Sequence, residues 1–143
     1  MDRELVEWIA FGVLGAMGFI ALWAAIERAL FYRAANVREY DNRSRFEVAL
    51  QKRLTIIAVI ASNAPYVGLL GTVFGIMIAF IDIADNLANM DAAALMTGLA
   101  LALKATAAGL LVAIPSSIAY NLLLGKAESL LAEWDAEYAA KTH

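Results

Sequence analysis

Residues 63–80, NAPYVGLLGTVFGIMIAF, are the centre of an uncharged run that decides the fold of this chain. The run extends over residues 54–81, and a helix that crosses a bilayer needs about 20 mostly apolar residues. Residues 8–26 form a second uncharged run, and residues 92–125 form a third that contains a single charge. The sequence therefore predicts an all-α membrane protein with three transmembrane helices, at about 6–27, 56–82 and 98–124.

The composition of the 143-residue chain is typical of a membrane protein. Hydrophobic residues make up 62% and charged residues 17%, whereas apolar residues are about 45–50% of a soluble domain. The length fits one domain. We expect the first apolar run to be a retained helix and not a signal peptide, because residues 1–7 carry one Arg and three acidic groups instead of a basic segment.

The charges between the apolar runs predict the orientation of the helices. Seven basic residues lie between the first two runs: Arg28, Arg33, Arg38, Arg43, Arg45, Lys52 and Arg53. The next connection has acids and no base. Because basic residues in short connections stay in the cytoplasm, we expect the N-terminus outside, a cytoplasmic helical segment at 28–53, an outer turn at 83–96 and a cytoplasmic C-terminal helix at 125–143. The basic segment indicates topology and contact with membrane lipids, and no nucleic-acid partner.

Two of the predicted helices carry a face of small and weakly polar side chains. At 3.6 residues per turn, one face of the second helix holds Ala58, Ala61, Pro65, Gly68, Thr72, Gly75, Ala79 and, at its outer end, Asp82. One face of the third helix holds Ala102, Thr106, Gly109, Ala113, Ser117 and Asn121. Lipid offers a hydroxyl no hydrogen-bond partner. We therefore expect both faces to look toward protein or water and to line something narrow and sparsely polar.

The small residues have a second interpretation. Stripes of small residues also let helices pack closely, and Pro65 is as typical of a simple kink as of a functional hinge. One chain cannot close a pore with two short faces, so the pore hypothesis requires several copies assembled as a ring. Neither stripe holds a carboxylate at mid-membrane depth. If protons pass, the titratable group must come from another chain.

Four charged residues near the membrane are candidates for ion pairing: Lys104, Asp82, Glu27 and Arg28. Lys104 is on the face of the third helix opposite the stripe, which favours snorkelling toward headgroups or pairing with an acid such as Glu7. An ion pair that fixes subunit register or meets a partner protein is the alternative. For Glu27 and Arg28 we expect contact with solvated headgroups first, and a salt bridge to a neighbouring helix second.

Residue types that carry most enzyme chemistry are scarce. The chain has no Cys, and its one His is the last residue, so a thiolate, a disulfide and Cys or His metal ligation are excluded. No paired carboxylates or phosphate-binding loop occur at membrane depth. We therefore expect no enzymatic activity and no cofactor.

Three segments together resemble a known family. The stretches APYVGLLGTVFGIMIAF at 64–80 and LALKATAAGLLVAIPSSIAYN at 101–121 resemble the two signature helices of the ExbB/TolQ/MotA proton-channel family, with ExbB the nearest pattern. IERALFYR at 26–33 also fits. The likeness is strongest over 54–124, and it implies that the chain is a single domain of this type. Departures are the absence of a long cytoplasmic loop, and Leu101 where relatives often have Glu, which removes a proton-carrying group.

The resemblance implies a function and a set of partners. It implies a protein of the bacterial inner membrane that forms a homopentamer around two helices of an ExbD-like partner, whose Asp carries the proton. The proton-motive force would then drive a TonB-like protein for active nutrient uptake through the outer membrane. By position, Thr72 and Thr106 match the pore-facing threonines. A TolQ-like role in the cell envelope and a non-conducting helical scaffold are the alternatives.

Overall fold

The computed structural model describes residues 3–86 and 91–142, and every regular element in these ranges is helical. The elements are α1 (Arg3–Ala34), a short 3₁₀ turn (Val37–Glu39), α2 (Arg43–Gln51), α3 (Leu54–Asp85) and α4 (Ala92–Thr142). Three of these helices are long and apolar enough to cross a membrane. The prediction of an all-α protein with three spanning helices is therefore confirmed.

Helix α4 is longer than any single element that the sequence suggests. A spanning helix at 98–124 and a separate helix from 125 onward were expected, whereas the structure has one helix of 51 residues that passes through Pro115 and Gly125. At 1.5 Å per residue its length is about 77 Å, which exceeds a hydrocarbon core of about 30 Å. The final turns of α4 therefore project well beyond the membrane.

The projecting part of the molecule contains the larger apolar core. Helix α2 packs there between the ends of α1 and α4, and its Phe46 and Leu50 are almost completely buried. The other buried members of this core are Ala24, Tyr32, Leu54, Ile57, Ala127, Leu130 and Trp134. Asn42 starts α2, because its side-chain oxygen accepts a hydrogen bond from the backbone N–H of Ser44 at 2.9 Å. This core fixes the spacing of the three long helices at one end.

Within the apolar spans, small residues replace bulky ones at the helix contacts. The buried cluster there consists of Leu14, Ala64 and Ala113. Large apolar side chains such as Trp8, Phe19 and Leu111 point outward and are more than two-thirds exposed. Because lipid tails are as apolar as these side chains, close backbone packing holds such helices together, and not the hydrophobic effect. The outer surface is left for lipid or for other chains.

Candidate functional site

The hydroxyls of Thr72 on α3 and Thr106 on α4 meet in the spanning region. Their Oγ1 atoms lie 2.5 Å apart. Thr72 is 6% exposed, and its Oγ1 also lies 2.9 Å from the carbonyl oxygen of Ala102 and 3.3 Å from that of Gly68. Thr106 is only partly buried. The two residues are 34 positions apart in the chain, so the fold brings together the two threonines that the sequence singled out.

The neighbours of the two hydroxyls favour one direction for the hydrogen bond between them. Each hydroxyl carries one proton, and a carbonyl can only accept. Both protons are used when Thr72 donates to the Ala102 carbonyl at 2.9 Å and accepts from Thr106. In that arrangement the lone pairs of the Thr106 oxygen remain available. The more exposed member of the pair is then an acceptor toward any group that approaches it.

The glycines of both stripes explain how the hydroxyls come so close. A Cβ atom on Gly68 would lie 2.5 Å from the carbonyl oxygen of Ala105 and 3.0 Å from the Cα of Gly109. A Cβ atom on Gly75 would lie 2.8 Å from the Cβ of Ala102. The backbones of α3 and α4 thus touch where side chains are missing. Within the chain the stripes act as packing surfaces, which is the second interpretation given above.

The remaining stripe positions divide into enclosed and accessible residues. Five stripe residues are buried in the chain: Gly68, Gly75, Ala102, Gly109 and Ala113. The three glycines and Ala102 lie at the close contact between α3 and α4. Pro65 is half-buried inside α3, which continues through it. Ser117 and Asn121 are exposed, and Asn121 donates to the carbonyl of Ser117 at 2.9 Å. Four of the predicted pore-facing residues keep accessible surface in the chain: Pro65, Thr106, Ser117 and Asn121. That they line a pore in the assembled protein stays a prediction.

The charged candidates have different environments. Asp82 and Lys104 are exposed, and neither forms an ion pair within residues 3–86 and 91–142. In particular, Lys104 has no ion pair with Glu7 there. Snorkelling of Lys104 toward headgroups stays a prediction.

The prediction that Arg28 contacts solvated headgroups is wrong, because its side chain is buried within the protein. It is 2% exposed, and its Nε lies 2.6 Å from the carboxylate of Glu27. Its Nη1 donates to the carbonyl of Ala49 at 2.6 Å, and the hydroxyl of Tyr32 donates to the carbonyl of Leu50. The last carbonyls of a helix lack partners within it, so two side chains of α1 cap the end of α2.

Arg53 is a member of this cluster that sequence reasoning missed. Its Nη1 lies 2.6 Å from the Glu27 carboxylate, and its guanidinium carbon lies 4.9 Å from the centre of the Trp23 ring. Its φ is 69°, a left-handed conformation that costs a non-glycine residue about 1–2 kcal/mol. The ion pair and the ring contact offset that cost. No pattern in the sequence marks such a residue, because only the fold sets its φ.

Comparison with known proteins shows which family this chain resembles over most of its length. The profile of the MotA/TolQ/ExbB proton channel family matches residues 23–136. The chain is 52% identical over 130 residues to the biopolymer transport protein ExbB of Helicobacter pylori, covering 91% of this chain and 89% of that one. It is 48% identical over 139 residues to ExbB of Aquifex aeolicus, covering 95% and 93%. The Tol-Pal system protein TolQ of Pseudomonas aeruginosa is 45% identical over 94 residues, which cover 64% of this chain and 39% of TolQ.

Proposed function

The chain belongs to the MotA/TolQ/ExbB proton channel family, and we propose from this that it forms the ring of an ExbB-type proton channel in a bacterial inner membrane. The observation that carries the proposal is the Thr72–Thr106 hydroxyl pair, 2.5 Å apart between two spanning helices. Within the described residues the pair contacts backbone carbonyls and no carboxylate. A hydroxyl pair without an acid of its own suits a channel whose titrating group belongs to a partner.

The proposed assembly has five copies of the chain around two helices of an ExbD-like protein. The N-terminus is periplasmic and the C-terminus cytoplasmic, in line with the basic residues of the first connection. Each partner helix carries an intramembrane Asp, and proton flow drives a TonB-like protein for nutrient uptake across the outer membrane. Support comes from two relatives named ExbB, which match over about nine-tenths of both chains. The TolQ match covers 39% of that protein, so a TolQ-like role is the second candidate.

The threonine pair can bind both forms of a partner carboxyl. A protonated carboxyl donates to the lone pairs of Thr106 without any rearrangement, because Thr106 already donates to Thr72. A carboxylate can only accept, so both hydroxyls must reverse: Thr72 then donates to Thr106, and Thr106 donates to the carboxylate. Protonation thereby changes which hydrogen bonds hold the partner helix. We propose that this difference moves the partner helix relative to the ring.

Replacing Thr72 by Val tests the role of the pair. Valine keeps the shape and removes the hydroxyl, so Thr106 loses its acceptor and the reversal is no longer possible. A hydrogen bond to a charged group contributes about 1.5–3 kcal/mol, and we expect proton flux to fall about tenfold or more in both Thr72→Val and Thr106→Val. The measurement is dye-reported proton flux into vesicles that contain the chain and its single-span partner.

Two matched variants make that result specific. Thr72→Ser keeps the hydroxyl and should retain most of the flux. Thr97→Val removes an exposed hydroxyl of α4 that donates to the Ala93 carbonyl of its own helix. This variant should leave the proton flux unchanged. Full flux in Thr72→Val and Thr106→Val would remove the pair from the mechanism. An assembled wild-type complex that conducts no protons would instead support the non-conducting scaffold.

A further inference from the structure

Glu7 is a carboxyl group at the edge of the contacts between the apolar helices, and the proposed mechanism does not use it. It lies on α1 and is half-buried. Its side chain lines a small cavity of about 20 Å³ at the meeting point of three helices. The facing walls include Gly71 and Gly75 of α3, and Leu101 and Ala102 of α4. A space of this size holds about one water molecule.

The depth of Glu7 follows from the neighbouring contacts. Glu27 of α1 pairs with Arg53 at the start of α3, and a Cβ on Gly71 would lie 3.2 Å from the Cβ of Ala10, so α1 and α3 run antiparallel and Ala10 is level with Gly71. From that level α3 continues 11 residues to Asp82, about 16 Å, whereas Glu7 is three residues beyond Ala10, about 4.5 Å. Glu7 therefore lies about 12 Å deeper than Asp82.

The surroundings of Glu7 give the carboxyl no charged partner. Within residues 3–86 and 91–142 it has no ion pair and no hydrogen bond. The facing positions of α3 are glycines, and Lys104, the charged residue of α4 nearest in sequence to the cavity wall, is exposed. Ionisable groups at such depth are costly, and they usually mark ion or proton pathways.

The cavity borders the threonine pair. Ala102 lines the cavity, and its carbonyl accepts the hydrogen bond of Thr72 at 2.9 Å. Gly71, on the opposite wall, directly precedes Thr72 in the chain. The cavity wall thus includes one residue that bonds Thr72 and one that adjoins it in the chain. A proton held at Glu7 therefore lies close to the site where the partner carboxyl is proposed to bind. Among the residues named as lining the cavity, Glu7 alone can take up and release a proton.

We propose that Glu7 is a proton-relay residue between the α3–α4 connection end of the bundle and the threonine pair. The carboxylate takes a proton from a hydronium ion that reaches the cavity, forming its O–H bond and leaving water. It then returns the proton to a cavity water, and that water delivers it to the partner carboxyl. This inference rests on the proposed channel function, since a scaffold that conducts nothing needs no relay.

Glu7→Gln tests the relay in the assembled complex. Glutamine has the same size and hydrogen-bonding reach and does not titrate, so proton flux into vesicles should fall about tenfold while the melting temperature and the assembly size stay unchanged. Glu4→Gln is the control, since Glu4 lies one turn earlier on α1 and is exposed; it should conduct like wild type. Leu101→Glu in the Glu7→Gln background places a carboxyl on the opposite wall of the same cavity and should restore flux at least threefold.

A second readout does not depend on flux. On a pH jump, the infrared difference spectrum of the complex should show a protonated-carboxyl band that Glu7→Gln loses and Glu4→Gln keeps. Equal flux in Glu7→Gln and wild type, or a carboxyl spectrum of Glu7→Gln identical to that of wild type, would overturn the relay and leave the channel intact. A wild-type complex that conducts no protons would overturn the channel proposal, and the relay with it.

Discussion

Gly68→Ala is expected to push α3 away from α4 and to destabilise the protein by about 1–3 kcal/mol. The added Cβ would lie 2.5 Å from the carbonyl oxygen of Ala105 and 3.0 Å from the Cα of Gly109. Both are backbone atoms, so no side chain can rotate to make room. Moving the helices apart also lengthens the hydrogen bond from Thr72 to the Ala102 carbonyl. Thermal unfolding of the purified complex in detergent measures the loss, and proton flux should fall with it.

Gly12→Ala is the matched control for this substitution. A Cβ atom on Gly12 would meet nothing within 4 Å, and alanine is favoured over glycine inside a helix by about 1 kcal/mol. The melting temperature should therefore stay the same or rise. If Gly68→Ala and Gly12→Ala have the same stability, close backbone packing at Gly68 does not hold the two helices together.

Arg28→Ala is the second substitution with a large expected effect. It leaves the Ala49 carbonyl without the Arg28 donor and leaves Glu27 with Arg53 as its remaining partner. An acceptor that loses its donor costs about 1–3 kcal/mol, and the Glu27 carboxylate also loses one of its two cationic partners. The guanidinium of Arg28 also lies 4.3 Å from the centre of the Phe31 ring, a contact that is lost as well. We expect α2 to detach from α1, with a lower unfolding midpoint and new protease cleavage between residues 35 and 53.

Arg38→Ala separates this effect from a general loss of positive charge. Arg38 also forms an ion pair, with Glu137 at 3.1 Å, but its side chain is 73% exposed. Exposed pairs contribute about 0–1 kcal/mol, so this variant should resemble wild type in stability and protease resistance. A similar small effect in both variants would show that Arg28 does not cap α2 in the membrane-embedded protein.

The local features of the fold were predictable from the sequence. Three spanning helices followed from the lengths of the uncharged runs, and the stripe on each of two helices followed from the helical period. The continuation of α4 through Gly125 was not predictable in the same way. A glycine and a proline lower helix propensity locally, whereas packing of Leu130 and Trp134 in the α2 core keeps the end of α4 helical. Tertiary contacts routinely override such local preferences.

For the site, periodicity identified the two threonine faces but not what they meet. Spacing places Thr72 and Gly68 on one face of a helix, and it says nothing about how that helix is rotated against its neighbours. In the structure, α3 and α4 are oriented so that their stripes contact each other. This contact buries Thr72 and leaves Thr106 at the edge of the interface between the two helices. The same rotation places Glu7 over Gly71 and Gly75, so its cavity could not be inferred from the sequence.

The sequence by itself determined that this chain spans a membrane three times, with seven of its eleven basic residues in one connection. These properties depend on segment length, composition and order, which are local to the chain. Only the tertiary structure decided that Thr72 bonds Thr106, that Arg28 is buried against α2, and that Glu7 faces a cavity between three helices. The physical reason is that each of these contacts joins residues at least 21 positions apart, so their geometry depends on helix rotation and depth, which no local pattern specifies.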